Sequence, residues 1–397
     1  MCGRTASQSR RPVRTLLLVL PVLLLSGCAL QPRLPPAAIT PAQLLDGRPL
    51  TAGQEPPPLP AVDILGVDDA MRRFVAGQRA SGGSARWRLR ELLRVLLHQE
   101  GFVIEYQERT YTAAEAFRLK QANCLAFTNL FVALAREVGL TVHYQEVDVP
   151  PDWSRSGDSL VQNRHINTVV DIGRRQEQMV DFNMDDFRAS YDRRAISDDR
   201  ARAHYYSNIG VERMVADEPL PALLNFRKAI AADASFVPAW INLGSLYQHA
   251  GAQEWAEAAW QHALRLAPRE FVALSNLEQL YRASGRVALA DGIRGQLVRH
   301  RQQNPYYRYQ QAEAALAAGN YPAAISHLRF AIARKPNEDR FYALLGLAFL
   351  RQGDVTSAQR WLARAAEVAG DDELRNAYHG KLELLRRQQL NLPPRGS

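Results

Sequence analysis

The stretch AWINLGSLYQHAGAQEWAEAAWQHALRLAP, residues 239–268, decides the fold of the C-terminal half. Trp240, Leu243, Gly244 and Tyr247 fall at helical spacing, and Ala256, Trp260, Ala263 and Pro268 mark a second helix and its end. Gly244, Ala256 and Ala263 are small enough to let the two helices approach closely, and the aromatic rings fill space against neighbouring pairs. Shifted back by 34 residues, the pattern recurs at Tyr206, Ile209, Gly210, Ala222, Phe226 and Ala229. Shifted forward, it recurs at Leu274, Leu277, Tyr281 and Ala290. A further copy, placed after three extra residues, carries Ala324, Leu328, Ala331 and Pro336. The last copy carries Tyr342, Leu345, Gly346, Phe349, Ala358, Leu362 and Ala365. Five helix pairs are expected over about 203–370, followed by a closing helix at 372–387 that turns Leu374, Leu382 and Leu385 inward.

This pattern of small and aromatic positions resembles the tetratricopeptide repeat (TPR). The resemblance implies an all-α solenoid over 201–390 whose concave surface takes a peptide or protein partner. Each aromatic in the repeats is read as core.

At the other end, Arg10, Arg11 and Arg14 precede the apolar run LLLVLPVLLL, residues 16–25, and then Ser26-Gly27-Cys28. The run is shorter than the about 20 residues a membrane span needs and is interrupted by Pro21, so it reads as an export signal. LSGC resembles the lipobox of bacterial lipoproteins. That resemblance implies a signal over 1–28, a lipid on Cys28 as membrane anchor and, with Ala29 following, the periplasmic face of the outer membrane. Cys2 then leaves with the signal, Cys28 takes the lipid, and Cys124 remains alone. An unpaired thiol in an oxidising compartment must be buried or useful. Residues 29–60 are proline-rich and read as an extended tether.

The 397 residues are 47% hydrophobic and 23% charged, which suits a globular protein of two or three domains. The net charge of +8 is arginine spread along helices, without a Lys/Arg block or a nucleic-acid motif, so nucleic acid is not an expected partner. No Cys/His metal spacing and no Gly-rich phosphate loop is present, and no cofactor is expected.

Any chemistry must come from residues 61–200. DDAMRRFVAG and ARWRLRELLRVLLHQEG have helical spacing, with Trp87, Leu89, Leu92, Leu93 and Leu96 on one face. YTAAEAFRLKQANCLAFTNLFVALAREVGL, residues 111–140, places Cys124 in the first turn of a buried helix that Gly139 stops. Free backbone N–H groups and the helix dipole favour a thiolate there. RHINTVVDIGRRQEQMVDFNMDD, residues 164–186, reads as a β-hairpin turning near Gly173. With partners summing to 346, Ile166 faces Val180 and His165 stands opposite Asp181. Ile166, Val170, Ile172, Val180 and Phe182 then form one apolar face, with His165 and Asp181 on the other. His98 and His143 have no partners and read as surface or packing residues. Residues 150–162 read as a surface loop carrying Trp153, and Asp68-Asp69 and Asp185-Asp186 as helix caps or solvated turns.

Cysteine at a helix start, then histidine and aspartate on adjacent strands, resembles the transglutaminase-like proteins over about 110–185. The family often has glycine before the cysteine, where this chain has Asn123, and HAW at the histidine, where it has His165-Ile166-Asn167. The resemblance implies a papain-like α+β domain in which Cys124 is the nucleophile, His165 the base and acid, and Asp181 the group that orients the imidazole. The Cys124 backbone N–H would serve the oxyanion, with Gln121 as a second donor. The expected function is a membrane-anchored amide hydrolase acting on peptide or protein, with two alternatives. One is a protein-glutamine transamidase, and the other a non-catalytic TPR scaffold with an inactive transglutaminase-like domain.

Overall fold

The structure is a computed structural model that describes residues 38–76, 83–97, 102–148, 153–156, 159–162, 165–173, 175–182, 191–370 and 372–389. The expected signal, Cys2, Cys28, Ala29, His98 and Asp185-Asp186 lie outside the described residues. Among the described residues no helix is long and apolar enough to cross a membrane.

The N-terminal part mixes helices with a small sheet. Helix α1 (Pro41–Asp46), α2 (Arg48–Thr51), α3 (Asp69–Phe74) and α4 (Ala85–Leu97) come first. Asp68 caps α3 by accepting from the Met71 N–H at 2.8 Å. On α4, Leu89, Leu92 and Leu96 are buried as expected, joined by Val95. Strand β1 (Glu105–Tyr106), α5 (Ala113–Leu119) and β2 (Gln121–Ala122) lead into α6 (Cys124–Glu137). Helix α6 is apolar almost all round: Leu125 through Ala135 are all buried, so it forms the centre of this part. It ends where Gly139 takes φ 74°, the left-handed turn that favours glycine.

Strands β3 (Val142–Val147), β4 (Trp153–Ser156), β5 (Ser159–Gln162), β6 (His165–Asp171), β7 (Glu177–Val180) and β8 (Arg193–Ile196) follow. Four of them form an antiparallel sheet in the order β7-β6-β3-β8. Helix α6 packs on β6 and β3. Strands β4 and β5 make a separate hairpin within the segment expected to be a plain surface loop.

Residues 198–389 form a helical, TPR-like solenoid of five antiparallel pairs and a closing helix. The pairs are α7 (Asp198–Val215) with α8 (Pro219–Ala232), α9 (Val237–His249) with α10 (Gln253–Leu266), and α11 (Phe271–Ala283) with α12 (Val287–Gln303). They continue with α13 (Pro305–Ala317) and α14 (Tyr321–Arg334), then α15 (Asp339–Arg351) and α16 (Val355–Val368), closed by α17 (Asp372–Gln389). The turns within the pairs hold Asp217, Gly251, Gly285, Gly319 and Gly353, all at positive φ and all 34 residues apart. The three extra residues expected before the fourth pair are therefore not an insertion. Helix α12 runs 17 residues where α10 and α14 run 14, and Asn304 at once caps α13, so the added turn is taken from the connecting loop. Close approach is enforced by glycine: a Cβ on Gly244 would lie 2.5 Å from Trp260 Nε1, and one on Gly210 2.4 Å from Phe226 Cε1.

The first helix pair meets the sheet through a charged cluster. Glu146 of β3, 2% exposed, accepts from Arg194 Nε at 2.7 Å and Arg200 Nε at 2.9 Å and meets His204 Nε2 at 2.7 Å. Arg200 also reaches Asp233 at 2.8 Å and lies over Phe236. Burial alone would raise the Glu146 pKa, but His204 and then Arg200 outweigh it and hold the carboxyl well below the usual range. Strand β5 lies against α9 and α11, Asp192 pairs with Lys335 at 2.8 Å, and Arg340 stacks over Tyr191.

Residues 40–60 are not an extended tether. Leu44 is fully buried, and Tyr247 O–H donates to its carbonyl. Arg227 donates to the carbonyls of Leu45 and Asp46 and pairs with Glu55, and Lys228 donates to the Pro60 carbonyl. A proline-rich segment has many carbonyls and few N–H groups, and the solenoid supplies the donors it lacks.

Candidate active site

Cys124 is the first residue of α6, and Asn123 puts it there. The Asn123 side chain accepts from the Ala126 N–H at 2.8 Å as the helix cap, while its Nδ2 donates to Thr110 Oγ1 at 2.9 Å and to the Glu108 carbonyl at 3.2 Å. One side chain thus anchors the helix start to the preceding loop. Where a glycine would leave that start uncapped, asparagine fixes it.

Thr128 carries the link to the histidine. Its hydroxyl, 1% exposed, reaches the Cys124 carbonyl at 2.8 Å and the Ile166 carbonyl at 3.2 Å. The first turn of α6 and the start of β6 are therefore joined one residue from His165. Ile166 and Val170 of that strand turn into the core, and Val180 joins them from β7, as the alternation requires.

The hairpin register differs from expectation by two residues. Thr168 faces Val180 and Asp171 faces Glu177, so partners sum to 348. A shift of two leaves every side chain on its own face, which is why the apolar pattern could not separate the two registers. Its consequence is local. Continued by one step, this register sets Asn167 across from Asp181 and His165 on the diagonal. Both reach the same carboxylate oxygen: His165 Nε2 lies 2.6 Å from Asp181 Oδ2, and Asn167 Nδ2 donates to it at 3.0 Å. The Asp181 side chain is fully buried, and that of His165 is 19% exposed.

With Nε2 taken by Asp181, Nδ1 is the ring nitrogen left for the thiol, and the Cys124 side chain is near enough to His165 to shift its titration. Burial works against a charged imidazole. The hydrogen bonds to Asp181 and Cys124, with the charges of both, outweigh it and push the His165 pKa up to about 10. Such a site can hold a charged imidazole at neutral pH beside the cysteine.

The walls are aromatic. Phe182 lies 4.7 Å from Phe127 of α6 and is stacked 6.2 Å from Tyr106. Partial burial, then the charges of Cys124 and Glu108, hold the Tyr106 phenol above its usual range. Gln121 sits on β2 just before the cysteine, and Tyr111 O–H donates to its Oε1 at 3.4 Å. His143 is exposed on β3, away from these contacts.

Sequence reasoning missed Thr128, Asn167 and Tyr106. For Asn167 the signal was available, since a polar residue two positions from His165 on a strand shares its face. For Thr128 it was the i+4 position from Cys124. Tyr106 lies on a two-residue strand that carries no periodicity to read.

A tetratricopeptide-repeat family model matches residues 315–381. No curated protein matches the chain. Among solved structures, a crystal structure of MamA protein aligns at 20% identity and TM-score 0.24, over 42% of this chain and 91% of that one. A MamA structure from Desulfovibrio magneticus RS-1 aligns at 18% identity and TM-score 0.24, over 47% and 97%. YrrB, titled a TPR protein with an unusual peptide-binding site, aligns at 20% identity and TM-score 0.24, over 45% and 91%. The repeat assignment rests on the family match and on the helix pairs themselves.

Proposed function

We propose that this protein is a thiol-dependent amide hydrolase of the transglutaminase-like kind, its papain-like α+β domain held by the TPR solenoid and anchored to the outer membrane through a lipid on Cys28. The observation that carries the reading is His165, held at 2.6 Å by a buried aspartate on one side and within reach of a helix-start cysteine on the other.

The Cys124 thiolate attacks an amide carbonyl, forming the C–S bond as the carbonyl electrons move to oxygen. The Cys124 backbone N–H, unpaired within the first helical turn, meets the developing charge, with Gln121 as a second donor. Collapse expels the amine, which takes its proton from His165. Water, giving a proton back to His165, then releases the acid and restores the thiolate. If an amine replaces water, the same site performs transamidation. Asp181 keeps the imidazole oriented and offsets its charge through both steps.

A second reading is favoured by the family match, which falls on the repeats: a non-catalytic scaffold that binds a protein partner through its solenoid. The test is the alkylation rate of Cys124 against pH, in a chain with Cys28→Ser and in the same chain with His165→Ala. The hydrolase reading expects fast alkylation near pH 6–7 that the second substitution removes. Equal rates would leave the scaffold reading. Mass analysis of the mature N-terminus for an acylated Cys28 tests the anchor.

A further inference from the structure

Among the described residues, strand β1 has an open side. It pairs in parallel with β2, Glu105 opposite Gln121 and Tyr106 opposite Ala122, and this sheet has two strands. The Glu105 N–H donates to the Lys120 carbonyl at 2.9 Å and the Gln107 N–H to the Ala122 carbonyl at 3.0 Å. Backbone groups alternate sides along a strand, so the residues flanking Tyr106 turn theirs to β2. The N–H and C=O of Tyr106 point to the free edge. Both β1 residues are exposed, Tyr106 by 59%, and Val103 and Leu119 leave apolar side chains in solvent on the same two chain segments.

This edge adjoins the candidate nucleophile. Ala122, the partner of Tyr106, precedes Cys124 by two residues, and the Tyr106 phenol feels the Cys124 side chain. The Tyr106 ring stacks on Phe182, which packs on Phe127 of the cysteine's own helix. Phe182, next to Asp181, thus links Tyr106 to the helix that carries Cys124.

We propose that the substrate is an extended peptide that adds to the free edge of β1, exchanging two backbone hydrogen bonds with Tyr106 so that its scissile amide lies at Cys124. An unpaired N–H and C=O on one edge residue complement the backbone of an extended chain, while exposed apolar side chains beside them take its alternate residues. A small amide or a sugar offers no such pairing. The inference rests on the reading of Cys124 as nucleophile, and the test separates the two.

The full chain with Cys28→Ser is treated with iodoacetamide and with a dye-labelled Ala-Val-Ala chloromethyl ketone, the latter also N-methylated at each amide in turn. Tyr106→Ala and Tyr106→Pro are compared. Proline removes the outward N–H without touching the β1–β2 ladder. Expected are a loss of about tenfold in the peptidyl ketone rate on one N-methylation, and about tenfold more loss in Tyr106→Pro than in Tyr106→Ala. The iodoacetamide rate is read in all three chains and each peptidyl rate is divided by it, so that a change at the thiol itself cancels and the ratio reports pairing to the edge. Equal peptidyl rates in the alanine and proline variants, with no sensitive amide, would overturn the proposal. If iodoacetamide finds Cys124 inert in the parent chain, the nucleophile reading fails instead. Docking is then read by fluorescence anisotropy of dye-labelled Ala-Val-Ala amide on the Cys124→Ala chain, with the same two variants deciding it.

Discussion

Asp181 holds His165 across a diagonal of the hairpin: the 2.6 Å contact to Nε2 joins residues two positions out of register, and Asn167 occupies the directly opposed place. The carboxylate is therefore shared between a donor that does not titrate and one that does. Raising the His165 pKa to about 10, well above the ordinary 6.5, makes its protonation a stability term. The folded value exceeds the unfolded one, so the contribution is complete below about pH 6.5 and is lost as pH rises through about 10. Urea midpoints at pH 6 and pH 10 should differ more in the parent chain than in Asp181→Asn, whose His165 should titrate nearer 6.5 by NMR. Equal pH dependence in the two chains would remove Asp181 as the cause.

Asn167 makes a second prediction. It is fully buried, and its Oδ1 has no hydrogen-bond partner among the described residues, so its Nδ2 bond to Asp181 holds it in place. Asn167→Ala should cost about 1–3 kcal/mol in stability and slow Cys124 alkylation by allowing Asp181 and His165 to drift. Asn167→Leu restores bulk without the donor and should recover stability more than rate. If both variants react like the parent chain, Asn167 only fills space.

The Glu146 cluster fixes the sheet to the first helix pair. Arg200, its side chain 13% exposed, satisfies both Glu146 and Asp233, and its removal leaves a buried carboxylate short of a partner. Arg200→Ala should cost about 3–5 kcal/mol, whereas replacing Glu146 and Arg200 together by apolar residues of similar volume should cost far less. Chemical denaturation of the two variants beside the parent chain checks this, and a double replacement that costs as much as Arg200→Ala would contradict it. Because the Glu146 pKa is depressed, its share of stability is present above the usual carboxylate range and fails only when pH falls far below it.

How much of this was legible follows from which signals have a period. The helix pairs announce themselves because Gly210, Gly244 and Gly346 recur against Phe226, Trp260 and Leu362, and each such pair is in contact. The hairpin faces were legible and its register was not, since alternation is blind to a slip of two. Cys124 and His165 could be named because each starts an element with a clear pattern, and Asp181 because it follows β7 by one residue. The β4–β5 hairpin was missed because WSRS and SLVQ are short and largely polar. The docked segment 40–60 was misread because what orders it, Arg227, Lys228 and Tyr247, lies in the repeats.

The close contacts inside the pairs separate two kinds of glycine. In Gly244→Ala the new Cβ meets the Trp260 indole at 2.5 Å, an overpacking that should cost about 1–3 kcal/mol. Trp260→Phe removes the indole's pyrrole edge, so the double variant should lose less than the sum of the single ones. Gly319, at φ 74° with open space around it, should cost about 1–2 kcal/mol as alanine through backbone strain alone, with no such rescue. Thermal melts of the four chains distinguish the two mechanisms.

The docked N-terminal segment gives the last prediction. Leu44 is the fully buried residue of helix α1, which Thr40 and Gln43 cap reciprocally, with Gln43 Oε1 receiving the Thr40 N–H at 2.9 Å. A flexible tether would tolerate Leu44→Ala without effect, but a docked element should lose about 2–5 kcal/mol through the cavity and lost burial. Arg227→Ala removes the donor shared by the Leu45 and Asp46 carbonyls, and should expose the segment to proteolysis before the solenoid unfolds. Limited proteolysis followed by mass analysis reads this directly: cleavage near residues 45–55 in the variant, with protection in the parent chain. Equal cleavage in both would mean that the segment does not stay docked in solution, and Leu44→Ala would then leave the melting temperature unchanged. Protection would mean that residues 40–60 stay docked on the solenoid in solution.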